Sequence, residues 1–364
     1  MRILQLIPSL GGGGAERQLS YLAPELSRMG CETHVACMRG GIHERALPGV
    51  VQHHLRSIGS HDPLLLFQVM LLLRQIKPDV VHTWLVQMDV LGGAASRVMN
   101  VKWILREPSS LPAYPSTWKH RARVRIARYA SAIVSNSTEG DLYWSGYYPD
   151  KRRCIIRNAV PIDAIDSVGD DGLIRRAGVP RVPRILYVGR LKDYKNVDKL
   201  ISAVERLHAL VPVRLIICGE GPMYETLRKQ VASAGLADAV ELRGFLNDRA
   251  VWALMKQSDV FCSLSDFEGL PNTVLEAMAC GVPLVLSDIS AHRELLDADS
   301  ALFVIQKDVR AVATALLSSI SDRNAACARA RIAKEKSMQF TIRNMALRYL
   351  DLYSQVIQAG VSQG

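Results

Sequence analysis

The 364-residue sequence lacks any uninterrupted apolar run of the roughly 18 residues that span a bilayer. Its most apolar stretch, Leu64 to Leu73, is short, contains Gln68 and is followed by Arg74, which excludes a spanning helix there. A secretory signature is also lacking. Met1 to Leu10 is apolar, but it contains Gln5 and runs into four glycines with no small-residue cleavage site, so a cytoplasmic location is expected. The seven cysteines (31, 37, 154, 218, 262, 280 and 327) are odd in number, scattered, and form no Cys-x-x-Cys pair. That argues against a disulfide framework or a zinc site and for reduced, mostly buried thiols. No repeat of 20–50 residues and no low-complexity tract is present, beyond a similarity between the two halves.

What is present is the composition of a globular protein, 49% hydrophobic and 22% charged, at a length that suits two domains of about 150 residues each. The net charge is +10, and residues 1–180 hold 22 Lys/Arg against 15 Asp/Glu, so the first half carries most of the excess. A basic face of this kind suits nucleic acid, anionic lipid or a phosphorylated substrate, and charge alone does not choose among them.

Both halves alternate short apolar β-rich runs with helix-period segments, the pattern of βα units on a parallel sheet. The strand-like runs are 2–10, 33–38, 50–55, 79–84, 102–106, 132–136 and 154–157, then 184–188, 214–218, 240–242, 260–264, 283–287 and 301–304. Between two of them, Val197, Leu200, Ile201, Val204, Leu207 and Leu210 recur at helical spacing before Pro212. Pro161 to Pro183, rich in proline, glycine and acid, reads as the connector. Two domains are expected, 1–165 and 166–340, with a tail helix over about 341–360 free to pack on either.

Three loops carry candidate chemistry. Gly11 to Gly14 follow the first strand and precede a helix, where glycine lets backbone N–H groups approach a phosphate. A dinucleotide site fits poorly. The sixth position counted from Gly11 or Gly12 is Glu16 or Arg17, and no carboxylate ends the second strand at Met38-Arg39. A structural tight turn is the remaining alternative. In Gly189-Arg190-Leu191-Lys192-Asp193-Tyr194-Lys195-Asn196, two cations five residues apart suit a diphosphate, Arg190 as a fork and Lys195 as a point charge. Third, Glu268 precedes a helix that Pro271 starts and Gly281 ends, and Glu276 lies inside it. Carboxylates accept hydrogen bonds from vicinal hydroxyls, so this pair beside two cations suits a molecule with sugars on either side of a diphosphate. The bland readings are solvated loop cations and a capping glutamate.

The pair Glu268 and Glu276, with seven residues between them in Glu-Gly-Leu-Pro-Asn-x-x-x-Glu-Ala-Met-Ala-x-Gly-x-Pro, closely resembles glycosyltransferase family 4, the retaining GT-B enzymes. The Gly-Arg-Leu-x-x-x-Lys-Asn loop and the glycine run before Ala-Glu-Arg match the same family. The resemblance implies an α/β, GT-B fold: two Rossmann-like, doubly wound domains facing each other across a cleft, the tail helix crossing back to the first. It implies that Arg190 and Lys195 neutralise the donor diphosphate and are the leading catalytic groups. Glu276 holds the ribose, and Glu268 with Gly269, Leu270 and Asn272 holds the transferred sugar. Glu268 as a nucleophile is the less favoured alternative. Gly189, Gly219, Glu220, Gly244, Phe245 and Leu246 belong to the nucleotide side, and Gly12, Gly13 and Gly14 close over the phosphates. No metal or other cofactor is implied, only a nucleotide-diphosphate sugar, UDP- or GDP-linked, as co-substrate.

On the acceptor side His82 matches a histidine frequent in the family. Where many relatives place a second histidine this chain reads Leu105-Arg106-Glu107, so Arg106 and Glu107 become acceptor-side candidates. The basic stretch Trp118 to Tyr129 with interleaved apolar residues, together with Leu64–Leu73, suits an anionic leaflet carrying a lipid-linked acceptor, and equally suits a solvated helix beside a core helix. Nucleic acid is not expected as a partner, since no recognised binding module frames the basic residues. By resemblance the setting is bacterial envelope or capsular glycan assembly. Rivals are a nucleotide-sugar epimerase or phosphorylase, which the glutamate spacing disfavours, and a catalytically silent sugar-nucleotide-binding scaffold.

Overall fold

A computed structural model describes residues 1–11, 13–38, 47–56, 62, 64–109, 117–169 and 182–361. The chain divides into two compact units, Met1–Ala159 with Phe340–Gly364, and Val160–Gln339. The expected boundary at residue 165 thus lies slightly inside the second unit, because α6 (Ile162–Asp166) belongs there. Lys334 pairs with Asp166, and Lys256 donates to the Val168 carbonyl.

In the first unit, β1 (Arg2–Leu6), α1 (Gly14–Arg28), β2 (Glu32–Cys37), β3 (Val51–His54), α2 (Leu64–Ile76), β4 (Val80–Trp84), α3 (Leu85–Val98), β5 (Trp103–Glu107), α4 (Trp118–Ala127), β6 (Ala132–Ser135), α5 (Thr138–Ser145) and β7 (Arg153–Ile155) follow in order. The seven strands form one parallel sheet in the order β3-β2-β1-β4-β5-β6-β7. Its central strands β1, β4, β5 and β6 read as apolar runs because they are buried on both faces, as a sheet covered by crossover helices requires, whereas the edge strand β3 is largely exposed.

The second unit continues from α6 with β8 (Arg184–Val188), α7 (Val197–His208), β9 (Arg214–Cys218), α8 (Tyr224–Ser233), β10 (Val240–Gly244), α9 (Asp248–Gln257), β11 (Val260–Ser263), α10 (Asn272–Cys280), β12 (Leu284–Ser287), α11 (Ser290–Arg293), β13 (Leu302–Val304), α12 (Val309–Ser321) and α13 (Arg323–Ser337). Its strands form a parallel sheet in the order β10-β9-β8-β11-β12-β13. The strand order reverses between β1 and β4 in one unit and between β8 and β11 in the other. Open α/β sheets bind ligands beyond the carboxyl ends of the strands at such reversals.

The last helix, α14 (Ile342–Val361), returns to the first unit and completes its core beside α1. Tyr349 and Tyr353, one turn apart, are fully buried there, and each hydroxyl finds a partner as a buried phenol must. Arg106 Nε donates to Tyr349 (3.0 Å), Gln5 donates to Tyr353 (3.2 Å), and His82 Nδ1 lies 2.8 Å from the same oxygen.

A second buried polar group ties the other face together. Arg123, fully buried on α4, donates to Asp89 of α3 and to Glu107 of β5, both at 2.7 Å. Trp144 of α5 also donates to Glu107 (3.0 Å). Burial pushes the Asp89 carboxyl up to about 6, against the pull of Arg123. Removing one partner of such a group strands the others in the core. Arg123→Met is therefore expected to destabilise the first unit by about 3–5 kcal/mol in denaturant unfolding. The loss should be smaller below pH 6, where the Asp89 carboxyl takes up a proton; a loss below about 1 kcal/mol at pH 7 would contradict this account.

Candidate active site

The site is built where β8 and β11, adjacent in the sheet, release their loops. The first loop leaves β8 at Gly189, makes a short 3-10 turn over Asp193–Lys195, and enters α7 through Asn196. The second leaves β11 and enters α10 at Asn272, behind Pro271 as cap residue. Asn196 joins the two. It takes the left-handed conformation (φ 51°), is buried, and its Nδ2 donates to the Leu264 carbonyl (2.8 Å) and to Asp266 Oδ1 (2.9 Å). The Asp266 N–H donates in turn to the Tyr194 carbonyl (2.8 Å), and the rings of Tyr194 and Phe267 stack 4.5 Å apart.

This tie brings Lys195 and Glu268 together. Lys195 Nζ donates to Glu268 Oε1, which also accepts from Ser265 Oγ at 2.7 Å. Burial alone would raise the Glu268 carboxyl. The charge and hydrogen bond of Lys195, then the Ser265 hydroxyl, outweigh it and hold the carboxyl below its usual range. The stabilisation this carries is present above the unfolded carboxylate range and fades as the pH falls through the lowered folded value. Arg190 is exposed, and its guanidinium makes no hydrogen bond or ion pair among the described residues. Its backbone is fixed instead, because the buried Tyr187 hydroxyl donates to the Arg190 carbonyl (3.1 Å). One cation is thus paired in place and one is open to solvent.

The neighbouring loops are joined through their main chains. Gly189 N–H donates to the Cys218 carbonyl (3.0 Å), Gly219 N–H to the Gly244 carbonyl (2.7 Å), and Leu191 N–H to the Glu220 carbonyl (2.9 Å). A Cβ on Gly219, whose φ is +140°, would lie 1.9 Å from the Gly189 carbonyl oxygen, so only glycine allows these two loops to meet. Glu220 and Phe245 are exposed, while Leu246 is half-buried. On the other loop Gly269 and Leu270 are buried, Asn272 opens α10, and Glu276 is buried one turn further along. Gly281 ends that helix at φ 69°.

The remaining expected residues lie in the first unit. Gly13 caps α1 and Gly14 begins it, while Gly12 falls outside the described residues. His82, Arg106 and Glu107, expected on the acceptor side, are placed inside that unit. His82 is enclosed by Trp84, Tyr349 and Tyr353, and burial holds its ring well below the usual histidine range. Arg106 lies over the Trp84 ring and donates to Asn158 (2.7 Å) as well as Tyr349. Glu107 is held by Arg123 and Trp144. These side chains bind β4, β5, α4, α5 and α14 to one another.

Sequence reasoning did not single out Asn196, Ser265, Ser287 or His292. Asn196 and Ser265 sit inside the recognised motifs, whereas Ser287 and His292 carry no local pattern.

Residues 176–337 match the family described as glycosyl transferases group 1, and residues 12–164 match glycosyltransferase family 4. The chain is 33% identical over 272 residues to a glycogen synthase of Mycobacterium tuberculosis, 72% of this chain but only 65% of that protein, just under two thirds of its length. It is 27% identical over 323 residues to the lipopolysaccharide core biosynthesis glycosyltransferase LpsE of Rhizobium meliloti, covering 86% of this chain and 87% of LpsE. HepE of Anabaena, crystallised with UDP, has a similar structure, with a TM-score of 0.83 at 22% identity over 98% of this chain and 100% of HepE. Sucrose-phosphate synthase from Thermosynechococcus elongatus follows at 0.82 and 17%, over 98% and 99%. The two doubly wound sheets are those of the GT-B fold. Within that class, the chain belongs to glycosyltransferase family 4.

Lys195→Ala removes the cation that keeps the Glu268 carboxyl low, leaving burial to dominate. The Glu268 carboxyl is expected to titrate at higher pH in that variant than in the wild type, followed by its carbon chemical shift. An unchanged titration would show that the pair does not set the charge of this site.

Proposed function

We propose that this chain is a retaining glycosyltransferase that moves a sugar from a nucleotide-diphosphate sugar, UDP- or GDP-linked, to an acceptor hydroxyl without a metal ion. The observation that carries this reading is the Lys195–Glu268 pair beside the open Arg190, where the strand order reverses. As the sugar–phosphate bond breaks, negative charge grows on the leaving diphosphate. Arg190 and Lys195 meet that charge, each fixed donor contributing about 10²–10³ in rate. Lys195 exchanges Glu268 for the phosphate, which frees the carboxylate to accept from sugar hydroxyls. Glu276 takes the ribose hydroxyls from one turn into α10, with Gly189, Gly219 and Gly244 offering main chain on the nucleotide side. Relatives in lipopolysaccharide core synthesis, and HepE with bound UDP-glucose, support a nucleotide-sugar donor and a bacterial glycan acceptor.

The test is transfer from a panel of UDP- and GDP-sugars to lipid-linked and soluble glycan acceptors. Lys195→Ala and Glu276→Ala are each expected to lower kcat/KM at least about a hundredfold. Activity should survive EDTA, and the product should keep the donor's anomeric configuration by NMR. Wild-type rates in both variants, an inverted product or metal-reversible loss would each overturn the corresponding part of the reading.

The same reading places the acceptor at an anionic membrane surface. Supporting it, α2 and α4 both pack against α3. Leu64, Phe67 and Leu71 are exposed along one face of α2, and Trp118, Arg121 and Arg125 along one face of α4. Among the described residues no helix is long and apolar enough to cross a membrane. A peripheral contact combining apolar and basic side chains should fade with added salt. Sedimentation with vesicles containing phosphatidylglycerol is expected, with loss in an Arg121→Glu/Arg125→Glu variant; equal binding to neutral vesicles would refute the electrostatic part.

A further inference from the structure

His292 lies on α11, just beyond the carboxyl end of β12, and is fully buried. Its Nδ1 is 2.9 Å from the Ser287 carbonyl oxygen and 3.3 Å from Ser287 Oγ. A carbonyl oxygen only accepts, so Nδ1 carries the proton and Nε2 is left as a lone-pair acceptor. That Nε2 is buried and has no hydrogen-bond partner among the described residues. Native structures seldom leave a buried polar atom unpaired, and where they do a function or a bound group commonly accounts for it.

The surroundings indicate which function. Ser287 Oγ donates to the Ser265 carbonyl (2.7 Å), and Ser265 Oγ donates to Glu268 Oε1. Two hydrogen-bonded links, joined covalently through Ser265, therefore connect the imidazole to the carboxylate paired with Lys195. The ring also lies within electrostatic range of both Glu268 and Lys195. Burial lowers its pKa, the Ser287 carbonyl and Glu268 opposing and Lys195 adding, so it is neutral at pH 7. A neutral acceptor nitrogen cannot bind a phosphate oxygen, which has no hydrogen to give; it can bind a hydroxyl.

We infer that His292 is a further specificity-determining residue of this site, its Nε2 accepting a hydrogen bond from a hydroxyl of the transferred sugar. The inference rests on the reading of the site as a nucleotide-sugar site. A sugar with a hydroxyl at the right carbon and orientation fills the vacant acceptor, and its deoxy analogue or epimer does not. Selectivity of this kind is large because the unmatched ligand leaves a buried polar atom unpaired. Ser287 is a positioning residue, holding the imidazole tautomer and the loop before Glu268.

The experiment is calorimetric titration of the full chain with UDP-glucose and UDP, and with GDP-mannose and GDP. The wild type should bind one nucleotide sugar more tightly than its nucleoside diphosphate. His292→Leu is expected to weaken the preferred nucleotide sugar about tenfold or more, the loss of one hydrogen bond, while changing the nucleoside diphosphate less than about twofold. His292→Gln, whose amide can donate to the Ser287 carbonyl and still present an acceptor, should recover part of the preference. Should His292→Leu melt below the assay temperature, His292→Phe replaces it. Equal weakening of both ligands would make the histidine merely structural, and no weakening would leave it outside the site; either result overturns the inference. A wild type that binds none of the four ligands would instead sink the nucleotide-sugar reading itself, and this inference with it.

Discussion

Two loops from neighbouring parallel strands have to stay in register for this site to exist, and the side chain of Asn196 joins them, beside the Asp266–Tyr194 main-chain bond and the Tyr194–Phe267 stack. Asn196 spends its side-chain amide on the second loop while its backbone turns left-handed to start α7. Without that tie Lys195 and Glu268 would sit on independent loops, and bringing two long side chains together would cost conformational entropy at each encounter. With it, a cation and a carboxylate are paired in place, and in the function proposed for the chain that cation passes from the carboxylate to the donor's diphosphate. Preorganisation of this kind separates an electrostatic catalyst from a charged surface.

The first unit uses its polar groups differently. Arg106, Glu107 and His82 look in sequence like equipment for an anionic or polar substrate, yet each is turned inward, as is Arg123. Arg106 and Arg123 sit over Trp84 and Trp144 as well as meeting hydrogen-bond acceptors. A guanidinium suits such a place because its flat faces are weakly hydrated while its edge keeps its donors. These groups join helices to the sheet, and the ligand chemistry proposed for the chain is concentrated in the second unit.

Much of this was legible beforehand. Each of the thirteen strands among the described residues appears within two or three residues of an expected run, apart from the longer first run, because the central parallel strands, buried on both faces, leave little room for polar interruption. Lys195 and Glu268, 73 residues apart in the chain, were expected near one ligand, and they touch. Arg123 was not distinguishable within a run containing Arg121, Arg125 and Arg128, since helix phase shows which face a residue occupies but not that a buried carboxylate awaits it. His292 carried no signal at all: its relevance lies in a tautomer fixed by the carbonyl of a residue five positions earlier, and in a loop that comes from another strand.

The return of α14 has a consequence for biosynthesis. The pocket around His82 is closed by Tyr349 and Tyr353, which leave the ribosome more than 260 residues after that histidine. The opening half of the chain therefore emerges with an unfinished interior and an aromatic gap along α1, while the intervening unit can complete itself first. The core of the first unit can be completed only after the second unit has been synthesised, and until then its apolar seam beside α1 is open to chaperones.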